Sequence, residues 1–331
     1  MKRLAIALSL VAALSLLAGC GADPAFTAGK VYLGQKDYEK AVEQLQTAIR
    51  NNPNDYRPLV YLGMAYADTD RLPEAHDEFF KALDLAKDES GKKLVEDTIK
   101  FYWLKYDKQG EQYNEATKFE DAIGQFEQAI IIDPRKADAY INLGYALHMS
   151  NQTDKAIATF EKALEYAPDN PVLTENLVSV YQTKAGSLAA TGDTETALMY
   201  FEKIETLAPN TPDLNYNLAS MHYQMKNYNE ALRYFQKQLV FSPEDQDVVY
   251  RIFLCHWALA GELKESGQID LAADQFRACL EPLGKLVELD DTNVTYHRAL
   301  MRVYNELGQE NEALVELRKI EELLTGVAPQ Q

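Results

Sequence analysis

The sequence predicts an all-α protein built from about eight helix–turn–helix repeats, and three features of its 331 residues carry this prediction. A small residue recurs near the start of the second helix of each repeat, with apolar residues at helical spacing around it. A glycine stands in the first helix of the clearest repeats, and in five repeats a proline follows the small residue by twelve positions. Self-similarity of this kind is typical of arrays in which each repeat buries its apolar face against its neighbours.

The recurring small residue is alanine, and its spacing measures the length of each repeat. The successive intervals are 34, 47, 34, 41, 34, 41 and 41 residues. Seven extra residues equal about two helical turns, so they lengthen a helix and keep its buried face aligned. The thirteen extra residues of the longest interval are placed between Ser90 and Tyr102, as an extended first helix. The alanines are Ala41, Ala75, Ala122, Ala156, Ala197, Ala231, Ala272 and Ala313.

The intervals predict one domain over residues 20–331, without internal linkers. Asp23 and Pro24 predict the N-cap and first residue of the first helix, and Ser90 predicts the N-cap of the third repeat. The predicted repeats are 22–55, 56–89, 90–136, 137–170, 171–211, 212–245, 246–293 and 294–327.

The repeated phrase is clearest in the fourth repeat, as Tyr140-x2-Leu143-Gly144 followed by Ala156-x3-Phe160-x2-Ala163-x4-Pro168. The phrase resembles the tetratricopeptide repeat, a 34-residue helix–turn–helix unit. Glycine in the first helix and alanine in the second allow two helix backbones to approach closely, and proline ends the second helix. The resemblance implies a right-handed superhelical solenoid of about one turn, with a concave groove lined by the first helices.

The first twenty residues predict a lipoprotein signal peptide. Lys2 and Arg3 form a positively charged start, and the apolar stretch 4–17 is too short to cross a bilayer core of about 30 Å. Leu17-Ala18-Gly19-Cys20 resembles a bacterial lipobox, which implies cleavage after residue 19 and acylation of the Cys20 thiol. The alternative is an ordinary signal peptide with a chance cysteine.

The lipobox implies a location in the cell envelope. A chain lipidated at Cys20 faces the periplasm, with lipid as its membrane anchor. Gly21 follows Cys20 where aspartate would retain an enterobacterial lipoprotein in the inner membrane, so the outer membrane is expected.

Charge and motif content exclude several function classes. The formal net charge is −18, with 33 Lys and Arg against 51 Asp and Glu, which argues against nucleic-acid binding. The five histidines lie in different repeats, and the S-x-x-K match at Ser90 lacks its companion motifs, so neither a zinc site nor a catalytic site is indicated. We expect no enzymatic activity, cofactor, metal or small-molecule substrate.

In three consecutive repeats, an asparagine stands directly before the leucine of the repeated phrase in the first helix. These asparagines are Asn142, Asn176 and Asn217. The resemblance places this position in the groove, where an amide can pair with the backbone of an extended peptide whatever its side chains. The alternative is a tolerated polar residue on a helix surface.

Helical spacing puts six further side chains on or near the same side, about half of them expected to be exposed and the rest to belong to the core. They are Tyr145, His148, Tyr216, Tyr223, Tyr250 and Trp257. Tyrosine and tryptophan are common interface anchors.

The sequence therefore predicts a lipid-anchored periplasmic scaffold that binds protein or peptide partners with basic segments, in envelope, secretion or pilus assembly. Alternatives are an accessory subunit for an envelope hydrolase or protease and, less favoured, an enzyme acting on a glycan or small molecule.

Cys255 and Cys279 lie twelve residues on either side of Gly267, which is predicted to be in a helix–helix turn. Equal offsets from a turn put two residues of an antiparallel helix pair at the same height. The oxidising periplasm permits a disulfide between them. Helix axes usually lie 8–10 Å apart, so packing of two small thiols is the other interpretation.

Overall fold

The computed structural model describes residues 23–326 and is all-helical over that range, which confirms the predicted fold class. The predicted signal peptide 1–19 and the acylation site Cys20 lie outside the described residues. The helices are α1 (Pro24–Gly34), α2 (Tyr38–Asn51), α3 (Tyr56–Ala67), α4 (Leu72–Leu85), α5 (Glu89–Glu115), α6 (Phe119–Ile132), α7 (Ala137–Met149), α8 (Thr153–Leu164), α9 (Pro171–Thr191), α10 (Thr194–Leu207), α11 (Leu214–Gln224), α12 (Tyr228–Phe241), α13 (Gln246–Glu265), α14 (Ile269–Ala278), α15 (Leu280–Leu289), α16 (Val294–Glu306) and α17 (Glu310–Thr325).

Side-chain caps fix where two of the first helices begin. Asp23 Oδ1 accepts a hydrogen bond from the backbone N–H of Ala25 at 2.7 Å, so the predicted N-cap of α1 is confirmed. In α5 the predicted cap at Ser90 is wrong. The N-cap is Asp88, whose Oδ1 accepts from the backbone N–H of Gly91 at 2.8 Å, and Ser90 lies inside the first turn.

The extra residues of the longer repeats lengthen helices, as the seven-residue increments predict. Helix α5 has 27 residues, α9 has 21 and α13 has 20. The long second helix of the seventh repeat is divided into α14 and α15 at Cys279. Pro282 explains the division, because proline has no N–H to continue the helical hydrogen bonds across this point.

The described residues divide into two compact units, 23–177 and 178–326, and the predicted domain 20–331 spans both. The boundary falls within α9. In the first unit the first helices contact one another in the order α1, α3, α5 and α7, and the second helices α4 and α6 are also in contact. First and second helices therefore form two layers, with the apolar core between them.

Three glycines of the first helices lie directly against a phenylalanine ring of the second helix of the same repeat. A Cβ atom at any of these glycines would lie 2.5–2.6 Å from the nearest ring carbon, which is closer than real contacts allow. The rings are almost completely buried. Close approach of the two helices therefore depends on glycine in the first helix. The pairs are Gly63 with Phe79, Gly110 with Phe126 and Gly144 with Phe160.

Cys255 and Cys279 are both free, buried thiols, so the possible disulfide is not formed in the structure. Cys279 Sγ donates to the carbonyl oxygen of Gln275 at 3.4 Å and lies in the apolar cluster around Leu283. Burial raises the pKa of the Tyr223 phenol, and the nearby Cys255 raises this pKa further. Burial raises the pKa of each thiol to about 12, which leaves both as packing residues.

Candidate functional site

The neighbouring first helices α5 and α7 share a polar surface in the first compact unit. Gly110 of α5 and Gly144 of α7 make the same contact in their own repeats, so residues at equal offsets from them occupy equivalent positions. The amide nitrogen of Asn142 donates to Asp107 Oδ1 at 3.2 Å, which joins the two helices directly. This set is referred to as the α5–α7 surface, and its members are Asp107, Glu111, Asn114, Asn142, Tyr145 and His148.

Two members of the α5–α7 surface carry buried polar atoms without a hydrogen-bond partner among residues 23–326. They are Asn114 Oδ1 and His148 Nδ1, and each stands four residues after the glycine of its helix. Trp103 Nε1, one helical turn before Asp107, is buried without a partner as well. A buried polar group left unpaired costs about 1–3 kcal/mol, and folded proteins contain few. The α5–α7 surface therefore keeps hydrogen-bonding capacity that the described residues leave unused.

Asp107 gives the α5–α7 surface a buried negative charge. The residue is 5 % exposed and forms no ion pair within residues 23–326. Burial raises the pKa of its carboxyl to about 6, and the hydrogen bond from Asn142 opposes this rise. The negative charges of Glu111 and Asp138 raise this pKa further, whereas the positive charge of Lys108 lowers it. At neutral pH the carboxylate is ionised in surroundings that disfavour the charge.

Replacing Asp107 by asparagine is expected to stabilise the free protein at pH 8 by on the order of 1 kcal/mol. Because the folded chain holds the Asp107 proton more tightly than the unfolded chain, the free energy of unfolding of the parent falls as pH rises from about 4 to about 6 and is then constant. The advantage of D107N should therefore shrink as pH falls below 6. Urea unfolding of both proteins at pH 5 and pH 8 measures this difference. A variant less stable than the parent at pH 8 would show that the native protein stabilises the ionised carboxylate.

The structure brings together three of the predicted binding residues, Asn142, Tyr145 and His148, on α7. Tyr145 is 40 % exposed, and its ring edge contacts Phe119 with the ring centroids 6.5 Å apart. Asn142 and His148 are partly buried. Asn176 is partly buried on α9 near the end of the first compact unit.

The remaining predicted residues belong to the second compact unit. Asn217, Tyr216 and Tyr223 are partly buried on α11. The Tyr216 hydroxyl donates to Asp247 Oδ2 at 2.8 Å. The ring edge of Tyr223 contacts Tyr228, with centroids 5.3 Å apart. These three α11 residues lie in a different compact unit from the α5–α7 surface, and their role in binding stays a prediction.

Tyr250 and Trp257 pack at the edge of the second unit's apolar core. The Tyr250 ring lies 5.4 Å from Phe253 and 6.0 Å from Tyr296, measured between centroids. The Trp257 ring edge contacts Phe276, with centroids 5.2 Å apart. Both rings are partly buried against this core, and their role in binding stays a prediction.

Sequence reasoning did not identify Asp107, Glu111 or Asn114, and a usable signal was present. Gly110 precedes its alanine by twelve residues, as Gly63 and Gly144 precede theirs. Aligning the third repeat on Gly110 would have placed Glu111 and Asn114 at the positions of Tyr145 and His148, whereas Asp107 aligns with Ile141.

Among residues 23–326, no group of three or more His, Cys, Asp or Glu side chains is placed to hold a metal ion. None of the helices described is both long enough and apolar enough to cross a bilayer.

Three segments match sequence models of the tetratricopeptide repeat, residues 26–90, 113–175 and 216–239. Superkiller protein 3 of Schizosaccharomyces pombe is 38 % identical over 64 residues, which are 19 % of this chain and 5 % of that protein. Protein O-mannosyl-transferase TMTC1 of Mus musculus is 34 % identical over 71 residues, which are 22 % of this chain and 8 % of that protein. The chain thus spans less than a tenth of either curated relative.

Among solved structures, MamA 41-end from Desulfovibrio magneticus RS-1 is similar at 20 % identity with a TM-score of 0.38, over 58 % of this chain and 97 % of that one. The three matched segments place tetratricopeptide repeats in both compact units of this chain.

Proposed function

We propose that this chain is a lipid-anchored adaptor of the cell envelope that binds an extended segment of a partner protein on the α5–α7 surface, in envelope, secretion or pilus assembly. Its tetratricopeptide repeats support a protein-interaction scaffold. Repeat arrays bind partners along extended surfaces because neighbouring repeats present equivalent positions side by side. The observation that carries the proposal is the set of buried, unpaired polar atoms on α5 and α7.

An extended peptide has the groups that these atoms lack. Asn114 Oδ1 and His148 Nδ1 have almost no accessible surface, so the two side chains must rotate before a peptide backbone N–H or C=O can pair with these atoms. The exposed ring of Tyr145 adds apolar contact area beside them. Asn176, in the same compact unit, would extend this mode of recognition to the next repeat.

The proposed acylation at Cys20 supports the location in the cell envelope. The net charge of the chain supports the kind of partner. Cys20 of the lipobox stands four residues before Pro24, the first residue of α1, so acylation would hold the first repeat close to the membrane. The net charge of −18 favours partners with basic segments, whose association should slow as salt is added.

Replacing both Tyr145 and His148 by alanine is expected to reduce recovery of the physiological partner at least tenfold, because loss of a central anchor costs about 2 kcal/mol or more in binding. The lipidated chain is purified in detergent, and bound proteins are quantified by mass spectrometry. The matched control is Phe241→Ala, which removes a 64 % exposed aromatic ring from α12. A partner set retained by the double variant, when the melting temperature is unchanged, would contradict the proposed surface.

A further inference from the structure

Asp107 and Asp133 are the two buried aspartates of residues 23–326, and they differ in whether a cationic side chain pairs with the carboxylate. Asp133 is 1 % exposed and receives a two-pronged hydrogen bond from the guanidinium of Arg135, at 2.8 and 3.0 Å. Asp107 is 5 % exposed and accepts only the amide of Asn142. Burying a carboxylate is costly unless a cation compensates for the lost hydration. The third repeat contains this compensation at Asp133 and lacks it at Asp107.

The surroundings of Asp107 favour an incoming positive charge. Trp103, Asp107, Glu111 and Asn114 follow one another at intervals of four, four and three residues, so they lie on one face of α5. Glu111 and Asp138 add negative charge, and Lys108 is the neighbouring cation whose charge opposes them. The local balance is therefore negative around a carboxylate that is already shielded from water.

Asn142 occupies one oxygen of this carboxylate. Its amide nitrogen donates to Asp107 Oδ1, and Oδ2 has no hydrogen-bond partner in the described part of the chain. A charged nitrogen donor is the strongest partner for a carboxylate oxygen in a water-poor site. Asn142 acts here as a positioning residue, because it fixes the carboxyl group across the α5–α7 contact.

We infer that Asp107 binds the cationic side chain of a lysine or arginine in the bound segment and so selects partners with a basic residue at one fixed position. The inference rests on the proposed function, because it assigns a specificity to the same surface. A metal ion fits the site less well, since no group of three potential ligands is gathered within residues 23–326. The unpaired atoms of Asn114 and His148 independently indicate that a hydrogen-bonding ligand covers this surface.

The test uses phage-displayed random dodecapeptides, selected on the full chain in detergent. The enriched sequence is synthesised with an acetylated N-terminus, once as selected and once with its basic residue replaced by norleucine. Affinities for the parent, Asp107→Asn and Glu127→Gln are measured by fluorescence anisotropy. Glu127 is an exposed acid of α6 in the same repeat, so E127Q removes an equal charge from the other helix layer.

The expected result is a lysine or arginine fixed at one position of the enriched peptides. Asp107→Asn should lower the affinity for the basic peptide at least tenfold and change the affinity for the norleucine peptide less than twofold. E127Q should leave both affinities within twofold of those of the parent. Unfolding does not explain such a loss, because D107N is expected to be the more stable protein.

Three results would overturn the inference and leave the proposed function standing. The first is a set of enriched peptides without a basic residue, and the second is equal affinity of the basic peptide for the parent and for D107N. The third is a norleucine peptide that regains the affinity of the basic peptide when its N-terminus is left as a free amine. Failure of the proposed function has a different signature, which is peptide binding that Tyr145→Ala with His148→Ala leaves unchanged.

Discussion

Replacing Gly144 by alanine is expected to lower the free energy of unfolding of the fourth repeat by about 1–3 kcal/mol. The new Cβ would lie 2.6 Å from Cε1 of Phe160, a ring that is 1 % exposed and has no free volume to move into. The two helices α7 and α8 must therefore separate. Because each repeat contacts only its neighbours, amide hydrogen exchange should accelerate first within residues 137–164.

The same substitution at Gly124 is the matched control. Gly124 is also inside a helix, and a Cβ atom there meets no heavy atom within 4 Å. Gly124→Ala should stabilise the protein by about 0.5–1 kcal/mol, through the higher helix propensity of alanine. Hydrogen exchange followed by mass spectrometry, with urea unfolding, measures both variants. Equal effects of the two substitutions would show that the glycine–phenylalanine contact does not set the helix spacing.

Replacing Cys20 by serine is expected to move the whole chain from the membrane fraction to the soluble periplasmic fraction. Each buried methylene group contributes about 0.8 kcal/mol to membrane attachment, so a chain without acyl groups should lose the attachment that they would provide. Fractionation with immunoblotting follows the protein, and mass spectrometry of the N-terminal peptide detects the acyl groups.

Cys255→Ala is the matched cysteine control, because its thiol is buried and its loss should leave attachment intact. If the parent remains with the membrane but its N-terminal peptide carries no acyl mass, the lipobox interpretation is wrong.

The architecture was predictable because each of its determinants is local in the sequence. The twelve-residue spacing between glycine and alanine brings Gly144 opposite the second helix, and two-turn insertions preserve the buried face of α9 and α13. The N-cap of α5 was misassigned because Asp88 and Ser90 are both good caps. The side-chain hydrogen bond to Gly91 decides between them in favour of Asp88.

The candidate site was less predictable because burial and pairing depend on the neighbouring helix. Asp107 resembles any surface acid in the sequence, and only the approach of α7 encloses it and supplies Asn142. Tyr250 shows the same dependence on neighbouring helices, since a tyrosine on a first helix can lie toward the groove or pack against the core. Its contacts with Phe253 and Tyr296 give it a packing role.

Site-specific photo-crosslinking in living cells tests the binding surface most directly. A photoreactive phenylalanine analogue is placed at position 145 on α7 or at position 127 on α6. Tyr145 and Glu127 are both exposed, and they lie in different helix layers of the first compact unit. The α5–α7 surface predicts a crosslinked partner from position 145 and none from position 127. Crosslinks from position 127 alone would contradict it and place partner binding on the second helices.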